Sequence, residues 1–145
     1  MRIAVASDHA GFRYKEMVAG YLRRHGHEVL DYGTRSEDPV DYPDFIRLAA
    51  RAVAEADCER GVIFGGSGNG EAMTANRLHG VRCALVWSEE SARLASAHND
   101  ANMISIGQRM VSPEQALAFV DIWLSTPFDA GRHAARIAKI DSEPS

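Results

Sequence analysis

The chain has 145 residues, of which 46% are hydrophobic and 25% charged, the size and composition of one ordinary globular domain. Its formal net charge of −4 at pH 7 argues against a nucleic-acid or membrane-surface binder, because either would need a basic face. No apolar stretch approaches the ~20 residues of a membrane span, and the N-terminus lacks the charged-then-apolar layout of a signal peptide.

Short apolar strand patterns alternate with longer helical patterns along the whole chain. We predict strands at residues 2–7, 28–31, 61–64, 81–87 and 103–106. We predict helices from the turn at 8–11 to about residue 26, and at 42–56, 71–78, 89–98, 113–124 and 129–140, with a polar loop at 33–41 and a short polar tail at 142–145. This alternation predicts one α/β domain: a doubly wound parallel sheet of about five strands in a three-layer αβα sandwich.

Ligands of such sheets bind in the loops that follow the carboxyl ends of the strands. This rule places Asp8 and His9 after the first strand, and the turn at 65–70 with Glu71 after the third. Ser88 follows the fourth strand, and residues 107–109 follow the fifth. We expect the chemistry of the protein in these loops.

The strongest local signal is the run Gly65-Gly66-Ser67-Gly68-Asn69-Gly70-Glu71. Its four glycines allow a sharp turn and a close approach of the backbone to a ligand. The N–H groups of the turn and the start of the next helix would attract an anion. A plain tight turn would need only one or two glycines. The spacing matches neither G-x-G-x-x-G nor a P-loop, so a nucleotide site is disfavoured.

Glu71 is predicted in the first turn of that helix, beside the anion site. The helix dipole favours its ionised form, whereas burial would oppose ionisation. A poorly solvated carboxylate is suited to remove a proton next to a sugar carbonyl. The Ser67 hydroxyl and the N–H groups of the turn could then hold the enediolate oxygen. By position alone, Glu71 could equally be an acidic residue that only complements the helix dipole.

Basic residues near the C-terminus could bind the phosphate of a substrate. Arg132 and Arg136 share a helix face, and His133 lies next to the first of them. Guanidinium groups bind phosphate well, although such a pair is often only a solvated surface. Arg109 is better placed, because it follows the fifth strand at the ligand edge of the sheet.

The six histidines and two cysteines do not predict a metal site. Only His25-Gly-His27 approaches a metal-binding spacing, and it is expected at the opposite edge of the sheet. Cys58 and Cys83 lack a C-x-x-C spacing and fit a reducing cytosol, so we expect a cytoplasmic protein with Cys83 in its core. His98 closes a helix at the wrong edge; it is either a helix cap or part of a neighbouring subunit's site.

Several motifs, taken together and in order, resemble those of the type B ribose-5-phosphate isomerases. They are Ala6-Ser7-Asp8-His9-Ala10-Gly11, the glycine run through Glu71, Ala75-Asn76-Arg77, His98-Asn99, Gly107-Gln108-Arg109-Met110 and Arg132-His133-x-x-Arg136. The resemblance covers nearly the whole chain. It implies a Rossmann-like subunit, no cofactor, and a homodimer or tetramer whose active sites are shared between subunits. The implied activity interconverts D-ribose 5-phosphate and D-ribulose 5-phosphate by ring opening and proton transfer through a cis-enediolate.

The resemblance also implies roles for individual residues, carried over by position. The implied catalytic residues are Glu71 as the base, Asp8 and His98 as ring-opening groups with His98 from the partner subunit, and Ser67 in the enediolate-stabilising hole. The implied substrate-binding residues are Gly66, Gly68, Asn69 and Gly70 in that hole, His9, Arg132 and Arg136 with Arg109 of the other subunit around the phosphate, Asn99 at the sugar hydroxyls, and His133 close by.

Two alternatives to this function stay open. Part of the family has a catalytic cysteine at position 65 and no acid at position 71; this chain resembles the glutamate branch, and neither Cys58 nor Cys83 can substitute.

The first alternative is another substrate, because similar enzymes act on allose 6-phosphate, galactose 6-phosphate or four-carbon sugar phosphates. A non-catalytic phosphate-binding module would explain the glycine turn and the arginines, but not the coincidence of Glu71 with Asp8 and His98.

Overall fold

The computed structural model describes residues 1–142 and contains one sheet of five parallel strands in the order β2-β1-β3-β5-β4. The strands are β1 (Arg2–Ser7), β2 (Glu28–Asp31), β3 (Arg60–Gly65), β4 (Cys83–Leu85) and β5 (Met103–Gly107). The helices are α1 (Phe12–Arg24), α2 (Tyr42–Ala54), α3 (Asn69–Ala75), α4 (Glu89–Ala97), α5 (Pro113–Ser125) and α6 (Arg132–Ala138), with a 3-10 turn at His9–Gly11. The predicted fold class is confirmed. Residues 143–145 of the predicted polar tail lie outside the described residues.

Apolar side chains fill both faces of the sheet. Along β1, Ile3 and Val5 pack on one face with α1, α4 and α5, whereas Ala4 and Ala6 pack on the other with α2 and α3. This alternation follows from the two-residue period of a strand, and it produces the three layers predicted from the sequence. None of the helices within residues 1–142 combines the length and the apolar character that a membrane crossing requires.

Strand β4 and helix α6 are among the elements whose bounds differ from the sequence prediction, and both differ for local physical reasons. Strand β4 covers three residues instead of the predicted seven; the side-chain amide of Asn76 bonds both backbone groups of Cys83, its first residue. Helix α6 begins at Arg132 instead of residue 129, because Ala130 and Gly131 both have a φ of 56°, outside the helical region.

A buried ion pair fixes the chain beyond β2 against the end of β1. The Lys15 side chain is fully buried, and its Nζ lies 2.7 Å from Asp31 Oδ2 and 2.8 Å from Glu16 Oε1. The other oxygen of Asp31 accepts the Gly33 N–H at 2.9 Å. The carbonyl of Gly33 in turn accepts the Ser7 N–H at 2.7 Å. The pair therefore supports the backbone immediately before Asp8.

Replacing Asp31 with alanine should lower the free energy of unfolding by about 3 kcal/mol, because it removes the more buried partner of a buried ammonium group. Glu16→Ala is the matched control, since the Glu16 side chain is 52% exposed and its loss should cost less than about 1 kcal/mol. Urea unfolding at one fixed protein concentration measures both values. Equal losses in the two variants would contradict the assigned role of Asp31.

Candidate active site

The end of β1 places a nearly buried carboxylate at the ligand edge of the sheet. Asp8 is 7% exposed, and its Oδ1 accepts the N–H groups of Ala10 at 2.9 Å and Gly11 at 3.1 Å. A Cβ on Gly11 would lie 2.5 Å from the carbonyl carbon of Phe64 in β3, so only glycine fits there. The close approach at Gly11 therefore brings Asp8 next to the turn that follows β3.

The glycine turn is held in place from the end of β5. The Ser105 hydroxyl donates to the carbonyl of Gly68 at 2.8 Å, and Gly68 has a φ of +85°, which favours glycine. The Gln108 N–H donates to the Gly65 carbonyl at 2.8 Å, just beyond β5. Ser67 is exposed, and its Oγ accepts the Asn69 N–H at 3.2 Å. Neighbouring strands thus fix the turn, while the Ser67 hydroxyl still faces solvent.

Glu71 is buried directly against Gly65. Only 4% of Glu71 is exposed, and its carboxylate occupies the volume that a Cβ on Gly65 would fill. Burial raises the pKa of Glu71; its own backbone N–H opposes this effect, and the charge of Asp8 adds to it. A side chain at position 65 and the Glu71 carboxylate would occupy the same volume, so they exclude each other sterically. This exclusion explains why a chain with a glutamate at position 71 has glycine at position 65.

His9 and Arg109 flank the turn on either side. His9 Nδ1 accepts the Val40 N–H at 3.1 Å, so the loop before α2 reaches the end of β1. Arg109 is exposed, its N–H donates to the Gly66 carbonyl at 3.0 Å, and its Nη1 lies 2.9 Å from where a Gly66 Cβ would be. The resemblance implied that Arg109 comes from another subunit, yet it already lies against the turn of its own chain.

Tyr42 contacts the turn, although the sequence analysis assigned it no role. Its ring lies 2.5 Å from where a Cβ on Gly70 would be, and the residue is partly exposed at the start of α2. An aromatic residue directly after the polar loop at 33–41 was the available signal. We define the turn cluster as Asp8, His9, residues 65–71, Tyr42 and Arg109.

A second group of predicted residues lies elsewhere on the same chain. His98, Asn99, His133 and Arg136 line a cavity of about 410 Å³, together with Ile137 and Ile140. The rings of His98 and His133 stack with their centroids 4.3 Å apart. Burial lowers the pKa of His133, with further lowering by His98, Arg132 and Arg136 and an opposing effect of Asp129. We define the His98 cluster as His98, Asn99, Arg132, His133 and Arg136.

The turn cluster lies at the carboxyl ends of the strands, and the His98 cluster lies at their amino ends. The carbonyl of Asn99 accepts a hydrogen bond from Arg82, which directly precedes β4. The turn cluster instead follows β1, β3 and β5. Since all five strands are parallel, the start of β4 and the ends of the other strands are at opposite edges. One chain therefore does not bring His98, Asn99, Arg132, His133 and Arg136 to Glu71.

The fold and the turn cluster define a class of α/β protein in which a desolvated carboxylate packs on a glycine-rich turn at the carboxyl ends of the parallel strands. The chain belongs to the Ribose/Galactose Isomerase family, whose sequence profile matches residues 3–140.

Individual relatives match over nearly their whole length. A ribose-5-phosphate isomerase B of Mycolicibacterium paratuberculosis is 48% identical over 140 residues, which are 94% of this chain and 87% of that protein. The crystal structure of a ribose 5-phosphate isomerase from Thermotoga maritima superposes with a TM-score of 0.94 at 46% identity, covering 97% of both chains. The enzyme from Mycoplasma genitalium, solved with bound ribulose 5-phosphate, gives 0.92 at 38% identity and covers 96% of this chain and 93% of that one.

Glu71→Gln should stabilise the folded protein at neutral pH. The raised pKa means that the folded state holds this proton more tightly than the unfolded chain, whose carboxyl titrates near 4.5. The contribution of Glu71 to stability therefore falls as the pH rises from about 4.5 through the folded pKa. The variant should unfold at higher urea concentration than the original protein at about pH 7.5, and the gain should shrink below about pH 4.5.

The matched control is Glu55→Gln, because Glu55 is exposed at the end of α2. Its unfolding midpoint should show no comparable gain at either pH. The stability gain of Glu71→Gln over the original protein should be larger at neutral pH than at acid pH. A gain that is smaller at neutral pH would contradict the view that burial of the Glu71 charge is unfavourable.

Proposed function

We propose that this protein is an aldose–ketose isomerase that interconverts D-ribose 5-phosphate and D-ribulose 5-phosphate through a cis-enediolate. The observation that carries this proposal is the buried Glu71 carboxylate, packed on Gly65 beside Asp8. The activity is the one named for the relatives from Mycolicibacterium and Thermotoga, and the Mycoplasma relative binds the ketose product. The substrate enters at the turn cluster, where the parallel strands end.

Glu71 is the base that moves the proton between C2 and C1. In the aldose-to-ketose direction, it takes the proton from C2 of the open-chain sugar, and the negative charge develops on the C1 oxygen. The proton of the C2 hydroxyl passes to that oxygen, and Glu71 returns its proton to C1 as the C2 carbonyl forms. Burial withdraws water from the carboxylate and raises its proton affinity, which brings its pKa closer to the operating pH. Asp8 adds to that proton affinity, and its position beside Glu71 also suits it for proton transfer during ring opening.

The glycine turn stabilises the negative oxygen of the enediolate. Ser67 supplies an exposed hydroxyl, and the backbone of residues 66–70 supplies N–H groups. The hydrogen bonds from Ser105 and Gln108 hold this backbone in place before the substrate arrives. Donors that are already oriented need no reorganisation when charge develops, which is where this kind of stabilisation is strongest.

A second copy of the chain completes the site by bringing its His98 cluster to the turn cluster. Because His98, Asn99, His133 and Arg136 line one cavity, a partner would supply them together as one unit. The partner's His98 then opens the sugar ring together with Asp8 of the first chain. The partner's Arg132 and Arg136 bind the phosphate together with His9 and Arg109 of the first chain. The partner's Asn99 contacts the sugar hydroxyls, and the partner's His133 lies close by.

Exposed apolar side chains support such an interface. Met73 in α3 and Met110 beyond β5, near the turn cluster, are each 66% exposed. Ile140 at the His98 cluster is 56% exposed, and helix α6 has no buried residue in the lone chain. Apolar residues of this size on two separate surfaces are what a homodimer would cover.

Glu71→Gln should lower turnover at least about a hundredfold, because the amide cannot accept the proton from carbon. The measurement is interconversion of ribose 5-phosphate and ribulose 5-phosphate, together with exchange of the C2 hydrogen into deuterated solvent. Glu55→Gln serves again as the matched control and should retain full turnover.

Two results would contradict the proposed function. Binding of the sugar phosphate without conversion or exchange in the original protein would make it a phosphate-binding module. A higher kcat/KM on a four-carbon or six-carbon sugar phosphate would keep the chemistry but replace the substrate.

Mixing two inactive variants should restore activity if the site is shared between subunits. Glu71→Gln and His98→Asn, unfolded together and refolded at equal concentration, form heterodimers with one doubly substituted site and one intact site. Random pairing makes half of the dimers mixed, so about one quarter of the original activity should return. No recovery, with mixed dimers verified by mass spectrometry, would place both residues in one subunit's site.

A further inference from the structure

The His98 cluster and the neighbouring Asp129 together supply three potential metal ligands from two distant parts of the chain. One ligand atom from each of His98, Asp129 and His133 lies within 4.8 Å of the others. Two imidazole nitrogens and a carboxylate oxygen form a donor set that suits Zn²⁺ and neighbouring divalent transition metals. Asp129 has no part in the isomerase mechanism described above, so its proximity to the two histidines needs another explanation.

The backbone already holds the three ligands in register. The Asp129 N–H donates to the carbonyl of Ala97, the last residue of α4, at 2.9 Å, directly before His98. The His98 N–H donates to Leu94 at 3.0 Å, and the His133 N–H donates to Ala130 at 3.1 Å. The first bond ties the loop before α6 to the end of α4, and the other two are local bonds that fix the backbone at each histidine, so metal binding does not have to organise the backbone.

The side chains must turn before they can bind one ion. The imidazole rings of His98 and His133 are stacked and nearly parallel, with an interplanar angle of 14°, so their in-plane nitrogen lone pairs do not point at a common position. Metal–nitrogen bonds of about 2.0–2.1 Å put the ligand atoms of a tetrahedral ion on the order of 3.4 Å apart. Ligand atoms that start within 4.8 Å must therefore approach by on the order of 1 Å, and one ring must rotate about its Cα–Cβ and Cβ–Cγ bonds so that both nitrogens point at the ion.

We propose that His98, Asp129 and His133 form a three-ligand site for Zn²⁺ or a similar divalent transition-metal ion, and that an ion bound there reversibly inhibits the isomerase. Asp129 is exposed and gives the ion a path from solvent, while His98 and His133 are half-buried. The inhibition rests on the proposed function, because the bound ion occupies the imidazole that would otherwise open the sugar ring.

The neighbouring charges make this site one for reversible binding. Arg136 lines the same cavity as His98 and His133, and Arg132 directly precedes His133 in α6, so their positive charges oppose a bound cation. Asp129 supplies the negative charge that offsets this repulsion, and it is therefore the ligand on which binding should depend most. An ion held by three ligands beside two guanidinium groups should leave when a chelator is added.

Direct binding tests the site independently of activity. Full-length protein treated with a chelator and then dialysed is titrated with Co²⁺, followed by its visible absorption, and with Zn²⁺ in competition. We expect one ion per chain, and Asp129→Asn and His133→Gln should each weaken binding at least about tenfold. His25→Gln is the control for the other histidine pair and should change nothing. Absence of binding, binding unaffected by the first two variants, or binding lost in His25→Gln would each overturn the proposal.

The inhibition is tested with Asp129→Asn, which leaves the residues of the isomerase mechanism in place. Zn²⁺ should inhibit the original protein, and chelator should restore its turnover. Asp129→Asn should keep its basal turnover and require at least about tenfold more Zn²⁺ for the same inhibition. Equal sensitivity of the two proteins would overturn the inhibitory role. If the chain proves to have no isomerase activity, the proposed function and the inhibitory role fail together, whereas the Co²⁺ titration still decides the metal site by itself.

Discussion

The contact between the Glu71 carboxylate and Gly65 is the constraint on which the rest of the site depends. The carboxylate fills the space where any larger residue at position 65 would place its Cβ. This packing removes Glu71 from water and raises its pKa. A carboxylate in solution is too well hydrated and too weak a base for abstraction of a proton from carbon. The missing side chain at Gly65 therefore contributes to the burial and raised pKa that suit Glu71 to the proposed role of base.

Similar close contacts join the ends of the three central strands into one rigid site. A Cβ on Gly11 would meet Phe64 at 2.5 Å, and one on Gly107 would meet the carbonyl oxygen of Ser67 at 2.5 Å. Each contact ties the turn after one strand to its neighbour in the sheet. Backbone that approaches this closely has little room to move, which suits a hole whose donors must be oriented before charge develops.

The sequence predicted those features that depend on local patterns. Alternating strand and helix patterns gave the five parallel strands, and the four glycines before Glu71 marked the turn. Features that depend on distant residues were missed. Asp129 is 31 residues beyond His98, and the hydrogen bond from the Asp129 N–H to the Ala97 carbonyl joins their two segments in the folded chain. Lys15 gave no signal of its burial, because that burial depends on Asp31 across a separate strand.

The turn cluster and the His98 cluster lie at opposite ends of the strands in one chain, and this separation bears on the pKa of Glu71. In a lone chain, burial and the negative charge of Asp8 both raise its pKa. The partner's His98 cluster would bring Arg132 and Arg136 toward this carboxylate, and nearby positive charges favour the ionised form. Assembly would then shift Glu71 toward the form that accepts a proton, at the same time as it supplies the groups that bind phosphate. In such a shared site, Glu71 would be ionised most readily in the assembled dimer, which is also the form that has the arginines to bind the substrate phosphate.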